Sequence, residues 1–69
     1  MADPRLGSRL KEVRTAAGLT QAELAERAGV SRKTINTVEN GVFIPSTLLA
    51  LSLAKALGTT VEGLFYLVE

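Results

Sequence analysis

The sequence carries its clearest structural signals in residues 18–41, which read GLTQAELAERAGVSRKTINTVENG. Thr20 followed three residues later by Glu23 has the spacing of a capping box, which predicts that a short helix begins there and ends at the next glycine. Ser31 is the next N-cap and predicts a second short helix. Two short helices joined by a three-residue turn that contains Gly are typical of a helix-turn-helix.

The second predicted helix, residues 32–39, has one apolar face. At about 100° per residue, Ile35 and Val38 lie on the same side, which we expect to be buried. The opposite face presents donors, acceptors and a methyl group, from the side chains Arg32, Lys33, Asn36 and Thr37. Such a face can read base edges, since Arg and Lys bind guanine and Asn binds adenine. The alternative is an ordinary solvated helix face, and this pattern alone favours neither interpretation.

Similar helix start and stop signals predict three more helices. Asp3–Pro4 suits a helix start, and apolar residues then recur at helical spacing until Gly18. Serine and threonine caps precede residues 47–57 and 61–66, which predicts two further helices. No strand-like alternation of useful length is visible. We therefore expect an all-α five-helix bundle that forms a single domain over residues 1–69.

The composition excludes several classes of function. The chain contains neither Cys nor His, so thiolate and imidazole metal ligands and the usual general base are missing. We expect no metal site, no cofactor and no enzymatic activity. No apolar run is long enough to span a bilayer and no secretory signal is visible, so we expect no membrane contact and a cytoplasmic protein.

The net charge of +1 does not by itself indicate a nucleic-acid partner. Its distribution is more informative, because residues 1–19 carry +2, residues 20–41 carry none and residues 42–69 carry −1. An anionic partner should therefore meet the N-terminal part of the chain.

The sequence resembles the Cro/C1-type (Xre-like) helix-turn-helix domain of phage repressors and bacterial regulators. The matching segments are Leu19-Thr20-Gln21, Leu24-Ala25, Gly29-Val30-Ser31, Ile35, Glu39-Asn40-Gly41, Pro45-Ser46 and residues 53–58. The resemblance covers roughly residues 5–66 and agrees in register at many separated positions. It implies a bundle of the lambda-repressor-like type, with residues 32–39 as the recognition helix in the major groove.

The resemblance also implies roles for individual residues. The positions that usually contact bases are Arg32, Lys33 and Thr37, and Ser31 and Asn36 lie beside them as further base-contacting candidates. The positions that contact the phosphate backbone are Thr20, Gln21 and Asn40, and the N-terminus of a helix at residue 21 suits a phosphate oxygen. Arg9 and Lys11 are further phosphate candidates, for which a solvated surface charge is an equal alternative. Arg14 and Glu39 occupy the positions of a partly buried ion pair.

The C-terminal part is more apolar than a solvated surface requires, and the loop after Gly41 is apolar where this family usually has a polar one. We expect a homodimer contact built from Phe43, Leu48, Leu51, Phe65, Tyr66, Leu67 and Val68, with residues 61–69 as a dimerisation tail. The alternative is that the tail folds back over its own core.

The leading hypothesis is a sequence-specific regulator of transcription that binds double-stranded DNA. We expect a bacterial, archaeal or phage-encoded repressor that binds a two-fold operator as a homodimer. The alternative is an antitoxin or regulatory protein that uses the same fold to bind a protein partner, and the extra apolar surface favours this second class.

Overall fold

The computed structural model describes residues 5–68, which form five helices and one two-stranded sheet. In chain order the elements are β1 (Arg5–Ser8), α1 (Leu10–Ala16), α2 (Gln21–Ala28), α3 (Arg32–Glu39), α4 (Thr47–Leu57), α5 (Val61–Leu64) and β2 (Phe65–Val68). The two strands are antiparallel, with Arg5 opposite Val68 and Ser8 opposite Phe65. Among these residues no helix is long and apolar enough to cross a membrane.

The predicted caps set the helix boundaries. Thr20, Ser31, Ser46 and Thr60 each accept a main-chain hydrogen bond from the first turn of the helix that follows. The capping box is complete, because the N–H of Glu23 donates to Thr20 Oγ1 and the N–H of Thr20 donates to the Glu23 carboxylate. The hydrogen bond from the Thr20 N–H to the carboxylate, followed by the effect of the Thr20 hydroxyl, lowers the pKa of Glu23 below its ordinary value. The predicted bounds of α2, α3 and α4 are confirmed.

The ends of the described chain differ from the prediction. Residues 5–8, expected in the first helix, form β1, and α5 ends at Leu64 rather than near Tyr66. The fold is therefore mostly helical with a small sheet, not all-α. The predicted helix start at Asp3–Pro4 and the last residue of the predicted tail, Glu69, lie outside the described residues.

The strand pairing has a local physical reason. Gly7 lies directly opposite Tyr66, and a Cβ on Gly7 would overlap the Tyr66 ring. Glycine disfavours a helix interior but lets an aromatic ring from the facing strand lie over its backbone. The aromatic and β-branched residues of β2 favour an extended conformation. Together these preferences outweigh the helical spacing of the apolar residues near the start of the chain.

The core is built from one face of each helix and the first residue of β2. Its members are Leu10, Leu24, Ala25, Ile35, Val38, Leu49, Ala50, Leu53, Ala54, Leu64 and Phe65. Ile35 and Val38 are buried, so the predicted orientation of α3 is confirmed. Phe65 requires a correction, because it is only 7% exposed and packs into the core of its own chain rather than lying on a surface open to a second copy.

We expect Gly7→Ala to lower the free energy of unfolding by about 1–3 kcal/mol, because the added methyl group must displace the Tyr66 ring. Urea denaturation followed by circular dichroism measures this loss. The matched control is the same substitution in a Tyr66→Ala background, where the ring is absent and the loss should nearly vanish. An equal loss in both backgrounds would contradict the proposed contact.

Candidate nucleic-acid interface

The α2–turn–α3 unit holds one face of α3 away from the core. Gly29 ends α2 with φ +73°, a left-handed conformation that glycine adopts without a steric cost. Val30, in the turn, packs against the core, and its N–H donates to the carbonyl of Ala25 at 2.9 Å. Since Ile35 and Val38 face inward, the polar side of α3 faces solvent.

The predicted base-contacting residues differ in the exposure of their side chains and in the hydrogen bonds that these side chains make within the protein. Arg32, Lys33 and Asn36 are exposed. Ser31 is exposed too, but its Oγ accepts the N–H of Thr34 and so caps α3. Thr37 is half-buried and its hydroxyl donates to the carbonyl of Thr34 at 2.9 Å, which leaves an oxygen lone pair and a methyl group for a base.

Arg14 and Glu39 form a bidentate ion pair that ties α1 to α3. Arg14 Nε lies 2.6 Å from Glu39 Oε2, and Arg14 Nη2 lies 3.2 Å from Oε1. A third bond runs from Arg14 Nη1 to the carbonyl of Leu19 at 2.8 Å. The side chains are only 12% and 2% exposed. The hydrogen bond to Glu39 raises the pKa of Arg14, although burial acts in the opposite direction. The Arg14 guanidinium therefore stays protonated.

Gln21 joins this ion pair to the exposed face of α3. Its Nε2 donates to Glu39 Oε1 at 3.0 Å and to Asn36 Oδ1 at 3.2 Å. Both amide hydrogens are therefore used within the protein. The donors that this part of α2 offers to a phosphate are instead the main-chain N–H groups of Gln21 and Ala22, which lack acceptors inside the helix.

Thr20 and Asn40, the other predicted phosphate-contacting residues, are exposed and lie at the ends of α2 and α3. Thr20 Oγ1 accepts from the Glu23 N–H, and its hydroxyl hydrogen, which also helps to lower the pKa of Glu23, can rotate towards another oxygen acceptor. Asn40 Nδ2 donates one hydrogen to Asn36 Oδ1 at 3.1 Å and retains a second. Both residues can therefore donate to a phosphate oxygen.

Arg9 and Lys11 are placed differently from the rest of the predicted set. The Arg9 guanidinium carbon lies 4.3 Å from the centroid of the Tyr66 ring, a cation–π contact. Arg9 is thus held against the sheet, at the opposite end of α1 from Arg14. Lys11 is exposed on α1. The structure brings neither residue into the hydrogen-bonded group around α3.

The predicted dimer residues fall into two exposed apolar surfaces. The loop–helix patch consists of Val42, Phe43, Ile44, Leu48 and Leu51, and the tail patch consists of Tyr66, Leu67 and Val68. Within the loop–helix patch, Leu48 is 76% and Leu51 is 55% exposed although both lie on α4. Leu48 and Leu51 therefore lie outside the core of their own chain.

Two further features beside these residues were not predicted from the sequence. One is a groove of about 600 Å³ next to α3, whose lining includes Val30, Lys33, Thr34, Phe43 and Leu48. The groove arises from tertiary packing, and the only sequence signal for it was the apolar loop after Gly41. The other is the chain of amides that links α2 to α3, for which the four-residue spacing of the two asparagines on α3 was an available signal.

Residues 10–64 match the family model described as Helix-turn-helix. An HTH-type transcriptional regulator of Methanothermobacter thermautotrophicus is 49% identical over 61 residues, which are 87% of this chain and 88% of that protein. The crystal structure of the restriction-modification controller protein C.AhdI from Aeromonas hydrophila has a TM-score of 0.75 at 41% identity, covering 78% of this chain and 82% of that one. A SinR protein/SinI protein complex gives a TM-score of 0.75 at 28% identity, covering 80% of this chain and 54% of that one.

Proposed function

The chain belongs to the Xre/Cro-like helix-turn-helix family of DNA-binding transcription regulators, and from that premise we propose that it is a repressor that binds a two-fold operator as a homodimer. The observation that carries the proposal is the orientation of α3. Its apolar side is buried, and its opposite side presents Arg32, Lys33 and Asn36 to solvent. The protein acts in the cytoplasm, where α3 enters the major groove of chromosomal or phage DNA.

The interface makes two kinds of contact with DNA, one to base edges and one to phosphates. Arg32 and Lys33 donate to guanine O6 and N7, and Asn36 and Thr37 meet neighbouring base edges. Thr20, Asn40 and the first main-chain N–H groups of α2 donate to phosphates and fix the register of α3 on the duplex. Because few cations lie on this face, about three or four phosphates are neutralised per subunit and the salt dependence of binding is shallow.

A homodimer fits a two-fold operator because two copies of α3 must reach successive major grooves, about 34 Å apart. The loop–helix patch and the tail patch supply apolar surface for that contact. Selecting bound DNA from a random pool tests the whole proposal, since a selected site with two-fold symmetry reports both sequence specificity and dimerisation. A pool without a common sequence would contradict it.

We expect Lys33→Ala to weaken binding to the selected operator by about 1–3 kcal/mol, which is roughly fivefold to 150-fold, because a donor to base edges is lost. Binding to unrelated DNA should change much less. The matched control is Arg27→Ala, which removes a positive charge from an exposed position of α2 to which no DNA or dimer contact is assigned. Fluorescence anisotropy with both duplexes measures the effect. If specific and nonspecific binding fell equally, or if neither changed, the assignment of α3 as the recognition helix would be wrong.

A second candidate function is binding to a protein partner, as an antitoxin or a regulatory subunit that keeps the same fold. The exposed loop–helix patch and the adjoining groove favour it, and one structural relative was solved as a complex of two proteins. A mobility shift that requires a second protein would support this function. A shift produced by the purified chain alone would favour the first candidate.

A further inference from the structure

The hydrogen-bond chain from α1 to α3 fixes which end of the Asn36 amide faces outward. The ionised carboxylate of Glu39 can only accept hydrogen bonds. The Gln21 atom 3.0 Å from Glu39 Oε1 is therefore its amide nitrogen. The same nitrogen lies 3.2 Å from a side-chain atom of Asn36, which must then be the acceptor oxygen Oδ1. The acceptor oxygen of Glu39 therefore determines the orientation of the Gln21 amide, and Gln21 in turn determines the orientation of the Asn36 amide.

Asn40 completes this arrangement from within α3. Its Nδ2 also donates to Asn36 Oδ1, at 3.1 Å. A carbonyl oxygen has two lone pairs, so Gln21 and Asn40 together fill the acceptor capacity of Asn36. Within residues 5–68 the Asn36 Nδ2 has no hydrogen-bond acceptor, and the residue is exposed. The amide therefore offers two free hydrogens and no free acceptor.

We propose that Asn36 reads DNA as a donor only and favours guanine over adenine, and that Gln21 is the positioning residue that imposes this preference. The inference rests on the proposed function. Guanine presents two adjacent major-groove acceptors, N7 and O6, which suit the two free hydrogens of Nδ2. The usual bidentate contact of Asn with adenine also needs an acceptor for the N6 amino group, and Oδ1 is already occupied. Cytosine, which presents an amino donor, is disfavoured most.

The first test uses the free protein and does not depend on DNA binding. In nuclear magnetic resonance spectra, the side-chain amide protons of Gln21 should exchange with water more slowly than those of Asn36, because only the former are hydrogen-bonded. In the double variant Arg14→Met/Glu39→Met, which leaves no isolated charge, the Gln21 amide proton that Glu39 accepts should lose its protection, while the one donated to Asn36 keeps it. A protected Asn36 amide beside an unprotected Gln21 amide would overturn the proposed orientation.

The second test measures base preference on the operator selected from a random pool. Asn36→Ala first identifies the base pair whose discrimination depends on Asn36. At that base pair the wild-type protein should bind guanine about tenfold more tightly than adenine, the ratio for about 1.4 kcal/mol. Gln21→Leu frees one lone pair of Oδ1 and should shift the ratio towards adenine. Preference at the base pair read by Lys33 should not change, which separates altered reading from a general loss of structure.

The outcomes separate this inference from the function on which it rests. A wild-type preference for adenine that Asn36→Ala abolishes would overturn the donor-only reading and leave the proposed function intact. Unchanged discrimination at every base pair in Asn36→Ala would do the same. A random pool that yields no common sequence would overturn both.

Discussion

Replacing Arg14 with Met should lower the free energy of unfolding by about 3–5 kcal/mol, the usual loss when one partner of a buried ion pair is removed. The substitution leaves Glu39, whose side chain is only 2% exposed, without its arginine partner. It also removes the hydrogen bond from Arg14 to the carbonyl of Leu19. Urea denaturation followed by circular dichroism measures the loss.

The control for this prediction is the double variant Arg14→Met/Glu39→Met, which removes both charges and keeps apolar volume. Its loss should be much smaller than the sum of the two single losses, because no isolated charge remains. A domain of this size has a free energy of unfolding of only several kcal/mol, which is similar to the loss expected for Arg14→Met. Arg14→Lys is therefore a milder second variant, because it keeps the charge and loses only the bidentate geometry. Additive losses in the double variant would contradict the interpretation.

Replacing Leu48 and Leu51 with Ser should make the protein monomeric and weaken operator binding by about a hundredfold or more. Each half-site is then bound independently, and the gain from a linked second site is lost. Both side chains are largely exposed, so the free energy of unfolding of the monomer should change little. Analytical ultracentrifugation gives the oligomeric state, and fluorescence anisotropy on the full operator gives the affinity.

A comparison variant substitutes Leu67 and Val68 with Ser in the tail patch, which removes exposed apolar surface from the other half of the proposed contact. A loss of dimer in both variants indicates one interface that contains both patches. A loss only in the tail variant assigns the contact to β2. If neither variant altered the oligomeric state, the homodimer interface proposed above would be wrong.

The bounds of α2, α3 and α4 could be predicted because their signals are local. A hydroxyl N-cap and a glycine after the last turn act within a few residues, so Thr20, Ser31 and Ser46 are readable without knowledge of the fold. The sheet was not predictable in this way. Gly7 and Tyr66 become neighbours only after the helices between them have packed, and neither segment alternates in the manner of a longer strand.

The candidate site shows the same division. The burial of Ile35 and Val38 follows from helical periodicity, and it gives the outward face of α3 directly. The orientation of the Asn36 amide depends on contacts between three elements and could not be read from spacing. Phe65 is a similar case, because an apolar residue near the end of a chain is compatible with either a core or an interface until its neighbours are known.

The pairing of β1 with β2 joins segments roughly 60 residues apart in sequence. Closing so long a loop carries a large entropic penalty that local helix formation does not, so the strands are expected to pair late, after the helical core has assembled. The Arg9–Tyr66 contact and the packing of the Tyr66 ring over Gly7 then hold the two strands together at the last step of folding. We expect the two strands to separate before the helical core unfolds, so that α2 and α3 keep their geometry when the sheet opens.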